Sequence, residues 1–153
     1  MWGSTTPNTA DECTWTNAPF NNGSSNYDET YFNSVKDTVC PNGVLAKEYD
    51  AATQIMGSDW RMPTKEDFDE LLKGTTSEWI EDYKGTGVSG SKFTGSNGNS
   101  IFIPAAGYYG DVWSSSLSTF PSDCAWHLLF DSEDCGMYGS YRYYGRSVRG
   151  VRK

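Results

Sequence analysis

The chain contains a single histidine, His127, and no Cys-x-x-Cys pair among its four cysteines. A Cys/His zinc set with close-spaced ligands is therefore excluded. Positive charge is also scarce: 12 Lys and Arg face 20 Asp and Glu, a net charge of −8 at pH 7. Such a surface repels phosphate, so nucleic acid is not an expected partner. No stretch approaches the roughly 18 apolar residues of a membrane span, and no apolar signal segment follows Met1. Membrane insertion is not expected. No glycine-rich phosphate loop follows a strand-like run, which leaves flavin and nicotinamide without a cradle.

What the chain does have is rings. Aromatic residues make up 15% of its 153 positions, with six Trp and ten Tyr, although apolar residues total only 37%. A disordered chain lacks such rings. A single domain over residues 1–153 is expected, its core built around a few large side chains wrapped in loop. Cys13, Cys40, Cys124 and Cys135 allow three pairings. The sequential one, Cys13–Cys40 with Cys124–Cys135, suits an oxidising extracellular setting, and four free thiols is the alternative.

Residues 1–43 are turn-rich and read as loop with one or two short strands. Residues 44–56 read as a helix, with Leu45, Tyr49, Ala52 and Met56 on one face and Gly57 as its stop. A second helix starts after Pro63, with Thr64 as cap, Asp67 at the reciprocal position and Gly74 at its end. Phe68, Leu71 and Leu72 face inward. Residues 84–100 carry turn residues throughout. Strands are expected at 100–104, 125–130 and 146–151. Two helices followed by short strands and long loops give an α+β domain.

Several strings stand in a recognisable order: Trp60-Arg-Met-Pro-Thr-Lys-Glu66, Asn97-Gly-Asn-Ser-Ile-Phe-Ile-Pro-Ala-Ala-Gly-Tyr108, Trp113-Ser-Ser-Ser116, Ala125-Trp126 and Tyr141-Arg-Tyr-Tyr-Gly-Arg-Ser-Val-Arg149. Together they resemble the Fibrobacter-type major paralogous domains of Bacteroidetes and their phages. That group includes variable proteins of diversity-generating retroelements and sits in the formylglycine-generating-enzyme-like branch of the C-type lectin fold. The resemblance covers residues 44–153, and residues 1–43 join it only through Trp2-Gly-Ser-Thr-Thr-Pro7. It implies a C-type-lectin-like fold of two helices, short antiparallel strands and long loops. It also implies a ligand-binding module, receptor-binding or adhesin-like, working outside the cell, on its surface or at a phage tail tip. The implied partner is a protein or glycan receptor; a homo-oligomer is compatible, and no catalysis is implied. Two alternatives remain: an oxidase of the formylglycine-generating type using a Cys124/Cys135 pair, and a structural or oligomerisation domain. In the family, a strand precedes the WGSTTP string; without it, the terminal segment 146–151 is expected to expose an edge.

Retroelement diversification replaces adenines, mainly in Asn codons. The nine Asn all lie before residue 100, a gap that random scatter produces roughly one time in fifty. Residues 100–153 instead carry Tyr, Ser, Asp, Gly and Cys, and six of the ten Tyr fall between 108 and 144. Tyr offers large contact area at low rotamer cost, with Ser, Gly and Asp as adaptable polar contacts. The candidate ligand-binding residues are Tyr109, Asp111, Val112, Ser118, Thr119, Phe120, Ser122, Asp123, His127, Asp131, Asp134, Gly136, Tyr138, Ser140, Tyr141 and Tyr143. Tyr108, Tyr143 and Tyr144 have a structural alternative as strand or core residues. The candidate side chains are expected to stand in water as one contiguous face on a scaffold pinned by Trp60, Trp113 and Trp126. No cofactor is expected; calcium is the one ion for which the cluster Asp131-Ser-Glu-Asp134 holds oxygen donors, and a solvated loop is the plainer reading. Alternation sets His127 on the face opposite Trp126 and Leu128. Arg142 and Arg149 are expected to pair with helix carboxylates, and the Glu66–Glu70 carboxylates merely suit a helix start.

Overall fold

Capping side chains decide where the helices begin. The computed structural model describes residues 1–119 and 121–153. The first helix, α1 (Glu29–Val39), starts where the Asp28 carboxylate accepts the Tyr31 backbone N–H at 2.9 Å. It buries Phe32 and Val39. Residues 1–43 are therefore not loop with short strands: three helical turns lie within them, on the spacing of Phe32, Val35 and Val39.

The expected helix over 44–56 is shortened to α2 (Ala51–Met56). Asp50 cuts it, because its carboxylate accepts Thr53 N–H at 2.8 Å and Met62 N–H at 2.9 Å. Residues 44–46 are drawn out as extended chain, with Leu45 N–H bonded to Ser115 O at 2.9 Å, and a turn closed by Tyr49 N–H to Ala46 O leads into the helix. Helix α3 (Lys65–Gly74) forms where expected, and Thr64 and Asp67 exchange the reciprocal cap bonds.

There are eight strands among the described residues. The pair β1 (Trp60–Arg61) and β8 (Val151–Arg152) is antiparallel. Strands β2 (Thr75–Ile80), β3 (Gly90–Gly95) and β4 (Ser100–Pro104) form one antiparallel meander. Strands β5 (Gly110–Leu117), β6 (Cys124–Phe130) and β7 (Cys135–Tyr141) form another. The strands expected at 100–104 and 125–130 are present; β2 arises where no strand was expected, β3 from a stretch of turn residues, and β5 and β7 from stretches read as contact surface. The terminal strand is only two residues long and pairs with β1, so 146–151 is not left open; Ser147 also bridges Val112 in parallel. The architecture is mixed α+β with several antiparallel sheets.

The β5–β6–β7 sheet separates two cores. Its pleat sends Trp113, Leu117 and Ala125 to one side, against Trp2, Phe32, Val39 and Leu45. Val112, Leu128 and Phe130 go to the other side, against Phe68, Phe93 and Ile103. The anchoring tryptophans are Trp2 and Trp113; Trp60 and Trp126 are only partly buried. Trp2 docks the N-terminal segment through two bonds of 3.0 Å, from its backbone N–H to Arg142 O and from Nε1–H to Ser114 O. That fastening is what brings residues 1–27 beside the C-terminal tyrosines.

Candidate functional site

The tyrosines gather around one end of β7 and the segment after it. Tyr141 is 44% exposed and lies at ring-centroid distances of 5.8 Å from Tyr143 and 6.0 Å from Tyr144. Tyr143 and Tyr144 approach to 4.6 Å. Trp15 closes the group at 6.2 Å from Tyr141 and 5.0 Å from Tyr143, and touches Tyr27 at 5.3 Å. The cluster is half-buried, with Tyr141 and Tyr144 open to water.

Behind it sits Arg142, fully buried. Its guanidinium carbon lies 3.9 Å from the Phe32 ring centroid and 5.3 Å from that of Tyr27, with Trp2 and Trp15 at 5.8 Å. Nε–H donates to Ser122 O at 3.2 Å, and backbone N–H to Asp123 O at 3.0 Å. Burial lowers its pKa. The ring faces supply a cation–π field in place of a carboxylate. Neither Arg142 nor Arg149 pairs with a helix carboxylate: Arg149 donates to Phe102 O at 3.4 Å, and helix α3 keeps its own pairs, Arg61–Asp67 and Lys65–Asp69.

Arg146 carries the site onto the sheet. It forms an ion pair with Asp111, donates from Nη2 to Ser140 Oγ at 2.6 Å, and lies over the Trp113 and Tyr144 rings at 5.0 and 5.6 Å. Burial pushes its pKa down to about 10. Nδ1 of His127 meets Asp111 Oδ1 without the alignment of a hydrogen bond. His127 is 2% exposed and burial pushes its pKa down to about 4, so it is neutral at pH 7. Register sets Tyr138 directly across from it. Tyr138 O–H donates to Asp134 Oδ2 at 2.5 Å, which raises the phenol pKa.

A path of contacts runs from Asp134 through Tyr138 and then, beneath the surface, through His127, Asp111 and Arg146 to Tyr144, Tyr141, Tyr143 and Trp15, so Tyr138 joins the other tyrosines through buried groups and not as one contiguous exposed face. Ser140 hangs on Arg146, and Ser122 Oγ joins at the far end, 2.8 Å from the Tyr27 hydroxyl. Gly136 shares the pleat face of Tyr138, whose ring lies over it. Tyr109 is half-exposed and borders the same region as Asp111, Tyr144 and Arg146. Thr119 is exposed and Asp123 partly buried, both in the β5–β6 connection.

Three candidates are not on the surface. Val112 lies in the core beneath the sheet, His127 is buried behind Tyr138, and Ser118 is buried where its N–H bonds Cys124 O. Strand pleating explains the first two, because β6 is central and β5 is covered, so their inward positions do not reach water; Ser118 follows β5 and is folded in by its bond to Cys124 O. Phe120 lies outside the described residues. Tyr108, given a structural alternative, is 98% exposed, and Tyr144 also faces water. The acidic cluster is a turn: Asp131 Oδ1 accepts the Glu133 and Asp134 N–H groups, both at 2.7 Å. Among the described residues, no three His, Cys, Asp or Glu side chains cluster as a metal set.

All four cysteines are free. Cys135 stands opposite Phe130 at one end of the β6–β7 ladder and Cys124 opposite Tyr141 at the other. Six strand residues of about 3.3 Å each separate them by about 20 Å, well past disulfide reach. The thiol pair required for an oxidase reading is not assembled. Trp15, Tyr27, Tyr144 and Arg146 belong to the site although they were not candidates. Tyr144 and Arg146 left a trace in the sequence, as part of the tyrosine-rich run and a charge beside it, whereas Trp15 and Tyr27 left none.

Comparison with known proteins returns no matching family model, no similar curated protein and no similar solved structure. No described helix is long and apolar enough to cross a membrane.

Proposed function

We propose that this chain is a ligand-binding module, of C-type-lectin-like fold and diversified by a retroelement, that contacts a receptor at a cell surface through the tyrosine cluster on and after β7. It acts outside the cell or on a virion, as an adhesin or receptor-binding domain, without catalysis. One observation carries the reading: Tyr138, Tyr141 and Tyr144 present open ring area to water while the polar groups behind them are held by Arg142, Arg146 and Asp111. Exposed rings on a rigid backing are favourable for contact, because little side-chain freedom remains to be lost on binding. The ordered strings of the sequence and its late Asn gap favour the same reading.

Binding of the fluorescently labelled chain to a panel of bacterial cells tests it. Saturable binding is expected, weakened at least about tenfold in a Tyr138→Ser/Tyr141→Ser double variant, as for loss of aromatic hot spots. Binding that is indifferent to both substitutions, or absent from every cell type, overturns the proposal. For diversification, the flanking DNA is expected to hold a second copy of the segment encoding residues 108–144 that differs at adenines alone.

A further inference from the structure

Between the N-terminal segment, the β4–β5 connection and the segment after β7 lies a cleft of about 890 Å³. That is within the roughly 300–1,000 Å³ of small-ligand sites. Thr5 and Thr6 line it from the first segment, Tyr109 from the second with Asp111 at the start of β5, and Tyr144 and Arg146 from the third. Among the described residues neither threonine hydroxyl has a hydrogen-bond partner. Beside the cleft, Asp111 Oδ1, which meets His127 Nδ1, and Arg146 Nε are closed off from water, neither with a hydrogen-bond partner.

The charges select the ligand. Asp111 and Arg146 cancel one another, and the protein as a whole carries −8. An anion meets the Asp111 carboxylate and the field of the whole chain; a cation meets the Arg146 guanidinium. A neutral ligand avoids both penalties. It must also satisfy acceptor and donor sites set side by side, which adjacent hydroxyls do, since each donates and accepts. The half-exposed rings of Tyr109 and Tyr144 supply an apolar surface for C–H faces. We infer that this cleft binds the end of a neutral oligosaccharide, one sugar ring against Tyr109 and Tyr144, its hydroxyls shared among Thr5, Thr6 and the Asp111–Arg146 pair. The inference rests on the ligand-binding reading above and names its ligand chemistry.

An array of neutral and sialylated oligosaccharides, probed with the full 153-residue chain, tests it. Binding is expected to neutral chains only. It should fall about tenfold in Asp111→Asn, the loss of a hydrogen bond to a charged group. Should that variant fail to fold, Thr6→Trp decides, because Thr6 is exposed and its larger ring fills the cleft. Ile101→Ser, on the remote strand β4, is expected to bind as wild type. Binding that survives Thr6→Trp, or a preference for sialylated chains, overturns the inference. So does a blank array when cells are still bound through Tyr138 and Tyr141, a result that leaves the receptor reading standing. If neither array nor cells are bound, both fall.

Discussion

Gly110 and Phe130 face each other where β5 meets β6, and their contact makes a quantitative test of the second core. Phe130 is fully buried and packs edge-on to Phe93 at a centroid distance of 6.2 Å. Gly110 lies outside the left-handed region, so its backbone accepts alanine. Its difficulty is space: an added methyl overlaps the Phe130 ring. Gly110→Ala is expected to cost about 1–3 kcal/mol of overpacking, offset by about 0.4–1 kcal/mol from the stiffer unfolded chain. Phe130→Ala, a truncation in a closed core, is expected to cost about 3–5 kcal/mol. In the double variant the clash disappears and the methyl occupies part of the cavity. Its cost should then fall below the sum of the singles by at least about 1 kcal/mol, the coupling expected of touching residues. Urea unfolding followed by tryptophan fluorescence measures all four proteins, provided the m-values agree. Additivity within about 0.5 kcal/mol refutes the packing described.

Asp67, bound by Arg61 and Thr64, has its pKa pulled from 3.8 to about 2. Its contribution is therefore complete above about pH 4 and lost as pH falls through 2. Asp67→Asn should lose about 1 kcal/mol at pH 7, after discounting for its solvent exposure, and nothing below pH 2; a gap of equal size at both refutes it. Burial depresses His127 to about 4, so its stabilising contribution is present above about pH 6.5 and is lost as pH falls to 4. The Hε1 resonance of His127 should titrate near pH 4, and a midpoint above 6.5 means that the Asp111 contact outweighs burial. Alkylation of the unfolded, unreduced chain should label all four thiols. In the native state Cys124, pushed up to about 12 by burial and Asp123, should be inert to a disulfide reagent at pH 8. Fewer than four labels, or rapid reaction of Cys124, contradicts the thiol assignment.

Helix α3 was legible because its signals are local: Pro63, Thr64 and Asp67 need nothing from the rest of the fold. Strands β4 and β6 were legible because short apolar runs have few other uses. The rest depended on partners distant in sequence. β5 reads as Gly-Asp-Val-Trp-Ser-Ser-Ser-Leu, polar enough for a loop, yet every residue but Asp111 is buried. Its serines are tolerated because partners from afar satisfy them: Ser115 N–H bonds Pro63 O, Ser116 Oγ accepts Lys65 N–H, and Ser114 Oγ donates to Trp126 O. Helix α1 is the opposite case. Its spacing was present, but the turn residues around it outweighed eleven residues of moderate apolarity.

The same physics separates the candidates that face water from those that do not. Composition alone marks Tyr, Ser and Asp as contact residues; it does not see the pleat. Within β6 and β7, Tyr138 and His127 share one pleat face and one register position. β7 is an edge strand and leaves the tyrosine half open, whereas β6 is central and seals the histidine. A charged neighbour then decides what a sealed polar group can do. Burial keeps His127 neutral although its Nδ1 meets Asp111, and Arg146 pairs with that same carboxylate. Arg146 therefore touches both parts of the site: its guanidinium lies over the Tyr144 ring, and it pairs with the carboxylate that faces the imidazole behind Tyr138. Removing its charge while keeping its stem, as in Arg146→Met, should raise the His127 pKa and loosen Tyr144 together. Tyrosine exposure that changes without the histidine titration would mean the two are not linked through Asp111.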